Sequence, residues 1–136
     1  MNSLGFDRDL LYERRLREQD PIQKLNQSIN TPDPHGNPKT YCVDFDGVLH
    51  YHETGDGPGP LGELLKPAIE MAKRIKAAGH KLVVLTARPE EQFEDIKGYL
   101  KGHGVKVDEV TNKKPPAVFY IDDRAIPWPR NSGHRE

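Results

Sequence analysis

The feature that most constrains this chain is a short apolar segment that ends in two carboxylates and a glycine. The segment Tyr41–Val43 is followed by Asp44, Phe45, Asp46 and Gly47. In a β-strand, alternate side chains share a face and each residue rises about 3.3 Å, which places Asp44 and Asp46 on one side, roughly 6–7 Å apart. Gly47 allows the backbone to leave the sheet sharply and to approach a ligand closely. Two carboxylates held together repel each other unless a cation lies between them, so the pattern predicts a hard divalent ion, most simply Mg²⁺.

Composition limits the classes of protein to which the chain can belong. Its 136 residues suit one domain, and a formal net charge of −1 gives no indication of a nucleic-acid or membrane surface. The single cysteine, Cys42, excludes an internal disulfide, and its apolar neighbours predict a small buried core residue. The sequence contains no apolar run near the ~18 residues of a membrane span and no secretory signal. We therefore expect a cytoplasmic protein.

Residues 1–38 differ in character from the rest of the chain. The segment Asp7–Gln19 is polar and locally basic, with a spacing of apolar residues that suits a weakly amphipathic helix. Such a helix either lies solvated on the domain or serves as an arm that binds a partner or substrate. Thr31–Pro38 contains three prolines and predicts a linker. We expect a helical arm and linker over 1–38, a catalytic domain over 39–130 and a polar tail over 131–136.

The remainder of the chain alternates between strand and helix patterns. Apolar strands are predicted at Lys81–Thr86 and Ala117–Ile121, a short strand within Val105–Val110, and helices from Lys66 to Gly79 and from Pro89 to Lys101. This order predicts an α/β fold, a Rossmann-like parallel sheet flanked by helices. Parallel strands present functional side chains at their carboxyl ends. Three predicted strands end in such residues at one edge of the sheet, namely Asp44 with Asp46, Thr86 with Arg88, and Asp122 with Asp123.

Taken together, these motifs resemble the haloacid dehalogenase superfamily of phosphohydrolases. The Asp-x-Asp-Gly motif is matched by Asp44–Gly47, and the Thr or Ser that ends the next motif strand by Thr86. The lysine motif is matched by Lys113 or Lys114, and the late acidic pair by Asp122–Asp123. The four motifs occur in the family's order over residues 40–125. They are specific for the superfamily and do not identify a substrate.

The resemblance implies a phosphatase mechanism with named roles. Asp44 would be the nucleophile that forms an aspartyl-phosphate, since a carboxylate is ionised at neutral pH without the help of a base. Asp46 would be the general acid and base, with a pKa raised by partial burial. Mg²⁺ would be held by Asp44, the backbone carbonyl of Asp46, and one or both of Asp122 and Asp123.

Several site roles keep two interpretations. The resemblance implies that Thr86, Ala87 and a lysine bind the phosphoryl group, and its motif placement favours Lys114 over a solvated Lys113. Arg88, Arg124 and Lys113 are candidate substrate contacts, although arginines more commonly pair with nearby acids. His50 and His52 are interpreted as loop residues, because no further ligand at metal spacing accompanies them.

The intervals between motifs are too short for the cap domain that many members of the superfamily carry. The resemblance therefore implies a capless member whose open site favours a large substrate, such as a nucleic-acid end or a phosphoprotein, or receives a lid from a neighbouring subunit. The chain ends soon after the acidic pair, which would leave strand Val118–Ile121 at a sheet edge. We expect the N-terminal arm or a second copy, in a homo-oligomer, to cover that edge.

Two other classes of function compete with the phosphatase. A phospho-acceptor receiver domain also gathers acids, a Thr and a Lys around Mg²⁺, but its acidic pair lies on the first strand, whereas here that pair comes last. A catalytically idle binding module with the same fold is the other alternative. A kinase is disfavoured, because the sequence has no G-x-x-x-x-G-K-[ST] loop. Nucleic-acid binding has only weak support, since no aromatic residues interleave the basic ones.

Overall fold

The computed structural model describes residues 20–51 and 59–124. Its helices are α1 (Pro21–Asn30), α2 (Lys66–Ala77) and α3 (Phe93–Gly102), the last preceded by a 3₁₀ turn at Glu90–Gln92. Its strands are β1 (Thr40–Asp44), β2 (Lys81–Leu85), β3 (Glu109–Thr111) and β4 (Phe119–Ile121). The predicted helix over 7–19, His52, and the tail from residue 125 lie outside the described residues.

The four strands form one parallel sheet in the order β3-β2-β1-β4. The chain runs outward from β1 through β2 to β3 and then returns to the other side of β1 to add β4. Within the described ranges, the sequence contributes no folded insertion between β2 and β3 beyond the 3₁₀ turn and α3. The predicted α/β class, with a Rossmann-like parallel sheet flanked by helices, is confirmed.

The main hydrophobic cluster lies on one face of the sheet. Right-handed crossovers that continue in one direction along a sheet place their helices on the same face, which applies to α2 and α3. Apolar side chains of both helices form one buried cluster with alternate residues of the two central strands, among them Tyr41, Val43, Leu82, Val84, Ile75 and Leu100. Cys42 and Val83 point to the opposite face and are also buried, which confirms Cys42 as a core residue.

Helix α1 belongs to the packed domain, although the sequence interpretation placed it in the arm. Asp20 caps its N-terminus by accepting from the Ile22 amide at 3.0 Å, and Pro21 occupies the first turn. Leu25 and Ile29, one turn apart, are buried in the core cluster. Thr31–Pro38 has no helix or strand, as a linker requires.

Strand β4 is an edge strand among the described residues, as predicted for Val118–Ile121. Val118 is 53% exposed and Tyr120 is 42% exposed. Helix α1 does not cover this edge, since its hydrogen bonds go to Tyr41, Lys39, Arg74 and His80. None of the described helices is long and apolar enough to cross a membrane.

Candidate metal and phosphate site

The candidate site lies between β1 and β4, where the order in which the chain adds strands to the sheet reverses. The carboxyl ends of β1 and β4 are adjacent, although the chain visits β2 and β3 between them. In Rossmann-like sheets, ligands bind in the crevice at such a switch point. Val43 pairs with Ile121, so Asp44 and Asp122 are the next neighbours along the two strands.

Three carboxylates converge at this point. One oxygen from each of Asp44, Asp122 and Asp123 lies within 4.8 Å of the other two. Asp44 is half-buried, and the other two acids are exposed. Two oxygens on opposite sides of one hard divalent ion are about 4–5 Å apart, so this all-oxygen set fits a single shared cation.

Gly47 makes room for Asp123. The glycine has φ of +91°, in the left-handed region that side chains disfavour. A Cβ at this position would overlap the Asp123 carboxylate. The glycine of the first motif thus allows an acid of the last motif to lie directly against the turn that follows β1.

The acid cluster perturbs Asp44. Burial, followed by the negative charges of Asp122, Asp123 and Asp46, raises the pKa of Asp44 from 3.8 to about 6. The sequence alone predicts an ordinary pKa for this carboxylate. At neutral pH it remains predominantly ionised, and a cation among the acids would lower its pKa again.

The carboxylate of Asp46 is surrounded by hydrogen-bond donors rather than by other acids. Arg88 donates from Nε to Oδ2 and from Nη2 to Oδ1, both at 3.0 Å, so the guanidinium grips the carboxylate with two parallel bonds. The Nδ1 atom of His50 lies 3.0 Å from the same Oδ1. Among the described residues, the acids close enough to share one cation are Asp44, Asp122 and Asp123, without the Asp46 carboxylate.

The expectation of a raised pKa at Asp46 is wrong. Burial does raise the pKa of this carboxyl, but the hydrogen bonds and charges of Arg88 and His50 together outweigh burial and bring it below 3.8. Burial alone predicts a raised pKa, and the pairing of Arg88 and His50 with this acid is not evident from the sequence.

A tight turn after β1 brings His50 beside Asp46. The amides of Leu49 and His50 both donate to the Phe45 carbonyl, and the Gly47 amide donates to the His50 carbonyl at 2.8 Å. The His50 ring is 4% exposed and stacks on Phe45, with ring centroids 4.8 Å apart. His50 is therefore a fixed part of the site rather than a plain loop residue.

The end of β2 supplies the other side of the site. Arg88 is 2% exposed and, besides Asp46, donates to the Gly59 carbonyl at 2.7 Å and to the Gln92 side chain at 3.0 Å. The interpretation of Arg88 as an ion-pair partner of an acid is confirmed. Thr86 is buried and its hydroxyl accepts from the Arg88 amide, while Ala87 between them is exposed at the rim.

The other three predicted cationic contacts, Lys113, Lys114 and Arg124, have exposed side chains. The ammonium of Lys114 lies 4.3 Å from the centroid of the Tyr120 ring. Lys113 and Arg124 donate backbone amides to Thr111 and Asp122, respectively. Within the described part of the chain, none of the three side chains forms an ion pair with Asp44, Asp122 or Asp123.

Sequence reasoning missed the partners that organise Asp46. The Gly62 amide donates to Nε2 of His50 at 2.8 Å, and the Tyr99 hydroxyl donates to the Gly62 carbonyl. The one available signal was the spacing of four residues between Asp46 and His50 across an Asp-Gly turn. Gly59, Gly62 and Tyr99 act through backbone groups or from a distant helix, so the sequence held no signal for them.

Comparison with known proteins supports the fold alone. No family model and no curated protein matches the chain. One solved structure that matches is described as a conserved protein coded by locus from Bacteroides thetaiotaomicron. It has a TM-score of 0.55 and 24% sequence identity, and the match covers 66% of this chain and 79% of that chain. The class that the fold defines is Rossmann-like α/β.

Proposed function

We propose that this chain is a Mg²⁺-dependent phosphate monoester hydrolase of the haloacid dehalogenase type, without a cap, that works through an aspartyl-phosphate on Asp44. The observation that carries the proposal is the convergence of Asp44, Asp122 and Asp123 within 4.8 Å at the switch point of a parallel sheet. These are the acids of the first and last motifs, which are far apart in sequence. Their meeting is what the family resemblance requires.

The first half-reaction joins the phosphoryl group to Asp44. A carboxylate oxygen of Asp44 attacks phosphorus while the bond from phosphorus to the leaving oxygen breaks, and that oxygen takes a proton by way of Asp46. With its lowered pKa, Asp46 lacks a proton of its own near neutral pH. A substrate phosphate, whose second pKa is about 6, can bring that proton.

The second half-reaction releases phosphate. A water molecule attacks the phosphorus of the aspartyl-phosphate, Asp46 accepts the water proton, and the bond between phosphorus and Asp44 breaks. Because its pKa is lowered, Asp46 is already ionised near neutral pH; it relays the water proton and passes it to the departing phosphate, which is the stronger base. Arg88 and His50 hold it in place through both halves.

Mg²⁺ would be held by the carboxylates of Asp44, Asp122 and Asp123 with the backbone carbonyl of Asp46. When bound, it supplies positive charge that draws the anionic phosphate toward the anionic nucleophile and offsets the charge of transfer. Thr86, the backbone at Ala87 and Lys114 would bind the other phosphoryl oxygens. For this role Lys114 leaves its position over Tyr120.

The substrate is a phosphorylated small molecule or a macromolecular phosphate. Asp122 and Asp123 are exposed, and the described residues include no cap over them, so the proposed site admits large esters. Lys113 and Arg124 are the candidate contacts to the rest of the substrate, since Arg88 is buried against Asp46. The cationic side chains at the exposed rim allow a nucleic-acid end to be tested among the substrates, and a second copy of the chain could complete the open side.

The test is a turnover screen with Mg²⁺ over nucleotides, sugar phosphates, phosphopeptides and phosphorylated DNA ends. We expect at least one ester to be hydrolysed, chelation to stop turnover reversibly, and Asp44→Asn to lower kcat by about a thousandfold or more, as the loss of a nucleophile does. Asp95→Asn, the same change at an exposed position on α3, is the matched control and should keep wild-type turnover.

Other outcomes distinguish the competing classes. Full activity in Asp44→Asn would remove the proposed mechanism. A phosphorylated protein that accumulates without turnover would favour a receiver domain. Binding of Mg²⁺ with no hydrolysis of any ester would favour an idle binding module.

A further inference from the structure

A chain of hydrogen bonds runs from helix α3 to the carboxylate of Asp46. The Tyr99 hydroxyl donates to the Gly62 carbonyl, and the Gly62 amide donates to Nε2 of His50 at 2.8 Å. Nδ1 of His50 lies 3.0 Å from Oδ1 of Asp46. The proposed reaction assigns no role to Tyr99, Gly62 or His50 beyond the contact of His50 with Asp46.

The chemistry of this chain fixes the position of the imidazole proton. A backbone amide can only donate, so Nε2 of His50 must accept and cannot carry a hydrogen. The proton of the neutral ring then lies on Nδ1 and is donated to Asp46. Free histidine in water favours the opposite tautomer, with its proton on Nε2. The protein therefore selects the less common form.

Packing and hydrogen bonds hold the ring in this orientation. His50 is 4% exposed, and its ring lies nearly parallel to the Phe45 ring, with an interplanar angle of 11°. A flip of the imidazole would place a carbon against the Gly62 amide and another against Oδ1 of Asp46. The Gly62 amide would lose its hydrogen bond to Nε2, and Oδ1 of Asp46 would lose its bond to Nδ1 while keeping the one from Arg88.

We propose that His50 is a positioning residue for Asp46, locked as its Nδ1–H tautomer by the Gly62 amide. This rests on the proposed function, in which Asp46 moves protons at the leaving oxygen. His50 touches neither the substrate nor the candidate cation. It orients the carboxylate together with Arg88 and links that orientation to the backbone at Gly62, which Tyr99 holds in turn.

The first test reads the tautomer directly and does not depend on activity. ¹⁵N NMR of the full chain, at about pH 7.5 and so above the ordinary imidazole pKa of about 6.5, should show a pyrrole-type Nδ1 and a pyridine-type Nε2 for His50. The signals are assigned by their loss in His50→Asn. A pyrrole-type Nε2, or a ring protonated on both nitrogens, would overturn the proposal.

The second test uses two amide substitutions as matched controls for packing. Asparagine places its NH₂ group near the position of Nδ1 and can donate to Asp46, whereas glutamine places its amide near the position of Nε2. We expect kcat of His50→Asn to exceed that of His50→Gln by about tenfold, in line with the effect of losing an orienting partner. KM and the Mg²⁺ concentration for half-maximal rate should differ little between them.

The outcomes separate this proposal from the function on which it rests. Equal losses of kcat in both amide variants, in step with equal losses of stability, would reduce His50 to a packing residue and overturn the inference. If both variants fail to fold, Tyr99→Phe is the alternative test, because it removes only the hydroxyl at the far end of this series of hydrogen bonds. It should leave the fold intact and lower kcat by a few-fold, and an unchanged kcat would count against the proposal. Absence of turnover in the wild type would refute the proposed function, while the NMR result would still decide the tautomer.

Discussion

Asp44 and Asp46 are two residues apart, yet their surroundings are opposite in charge. Asp44 faces the carboxylates of Asp122 and Asp123, and its pKa rises to about 6. Asp46 faces Arg88 and His50, and its pKa falls below 3.8. The sequence spacing places both acids at one strand end. Their protonation behaviour is set by whichever neighbouring strand each of them meets.

The topology of the sheet explains this difference. Strand β1 lies between β4, which ends in two acids, and β2, whose following turn carries Arg88. Asp44 is the last residue of β1 and remains beside β4. Asp46 lies in the turn beyond β1, where its side chain meets Arg88 from the turn that follows β2. One neighbouring strand thus contributes anions and the other a cation.

The largest expected effect on stability comes from neutralising Asp46. Asp46→Asn would leave the Arg88 guanidinium, which is 2% exposed, without its anion, and we expect the free energy of unfolding to fall by about 3 kcal/mol. Because the folded pKa is below 3.8, the stabilisation is complete above that pH and disappears as the pH falls through the folded pKa. Urea denaturation across this pH range measures it. An equal loss of unfolding free energy in Asp46→Asn and in the surface control Asp95→Asn would contradict the proposed difference between Asp44 and Asp46.

A divalent cation should stabilise the protein through the carboxylate of Asp44 and not through that of Asp46. At a Mg²⁺ concentration 100 times its Kd, the free energy of unfolding should rise by about 2.7 kcal/mol in the wild type. The rise should be much smaller in Asp44→Asn, which lacks one of the three carboxylates. Thermal unfolding with and without Mg²⁺ measures both. Equal stabilisation of the two proteins would place the ion elsewhere and remove the candidate site.

The contact between Gly47 and Asp123 can be tested by adding one methyl group. Gly47→Ala forces a side chain into the left-handed region and against the Asp123 carboxylate, so we expect a loss of about 2 kcal/mol and weaker Mg²⁺ binding. Gly98→Ala, within α3 and with open space around it, is the control and should stabilise by about 0.5–1 kcal/mol. Denaturation and a Mg²⁺ titration give both quantities. Unchanged Mg²⁺ affinity in Gly47→Ala would separate the glycine from the acid cluster.

The smallest effect has the opposite sign to that at Asp46. The raised pKa means that Asp44 increasingly destabilises the fold as the pH rises from 3.8 to about 6, and fully above that range. Without divalent cations at neutral pH, Asp44→Asn should therefore stabilise the protein by about 1 kcal/mol, since the group is half-exposed and solvent screens the repulsion. The gain should vanish below about pH 4. A loss of stability at neutral pH would show that repulsion does not dominate at this residue.

Much of the fold could be predicted because its apolar segments have clear periodicity. The strands Lys81–Leu85 and Phe119–Ile121 and the helix Lys66–Ala77 lie close to their predicted bounds. Helix α1 was missed, since its few apolar residues stand in a polar stretch and its signal lay in the Asp20 cap and in the pair Leu25 and Ile29.

The candidate site was predictable in its positions and less so in its partners. Acids at the carboxyl ends of parallel strands lie at one edge of the sheet, so the sequence predicts that Asp44 and Asp122 are close, as they are in the structure. The pairing of Asp46 with Arg88 depends on side-chain directions beyond the strand ends, which periodicity does not encode. The Gly62 amide is a backbone group that any residue type would provide.

The acids of the last motif follow one of the two short edge strands of the sheet. Strand β4, like β3, pairs over three residues and on one side only, so it is expected to fray and to exchange its amide protons with solvent sooner than β1 and β2. Each such opening would carry Asp122 and Asp123 away from Asp44. An ion gripped by all three would fasten the loose border of the sheet to its centre, and occupancy of the site would then be readable as slower exchange along β4.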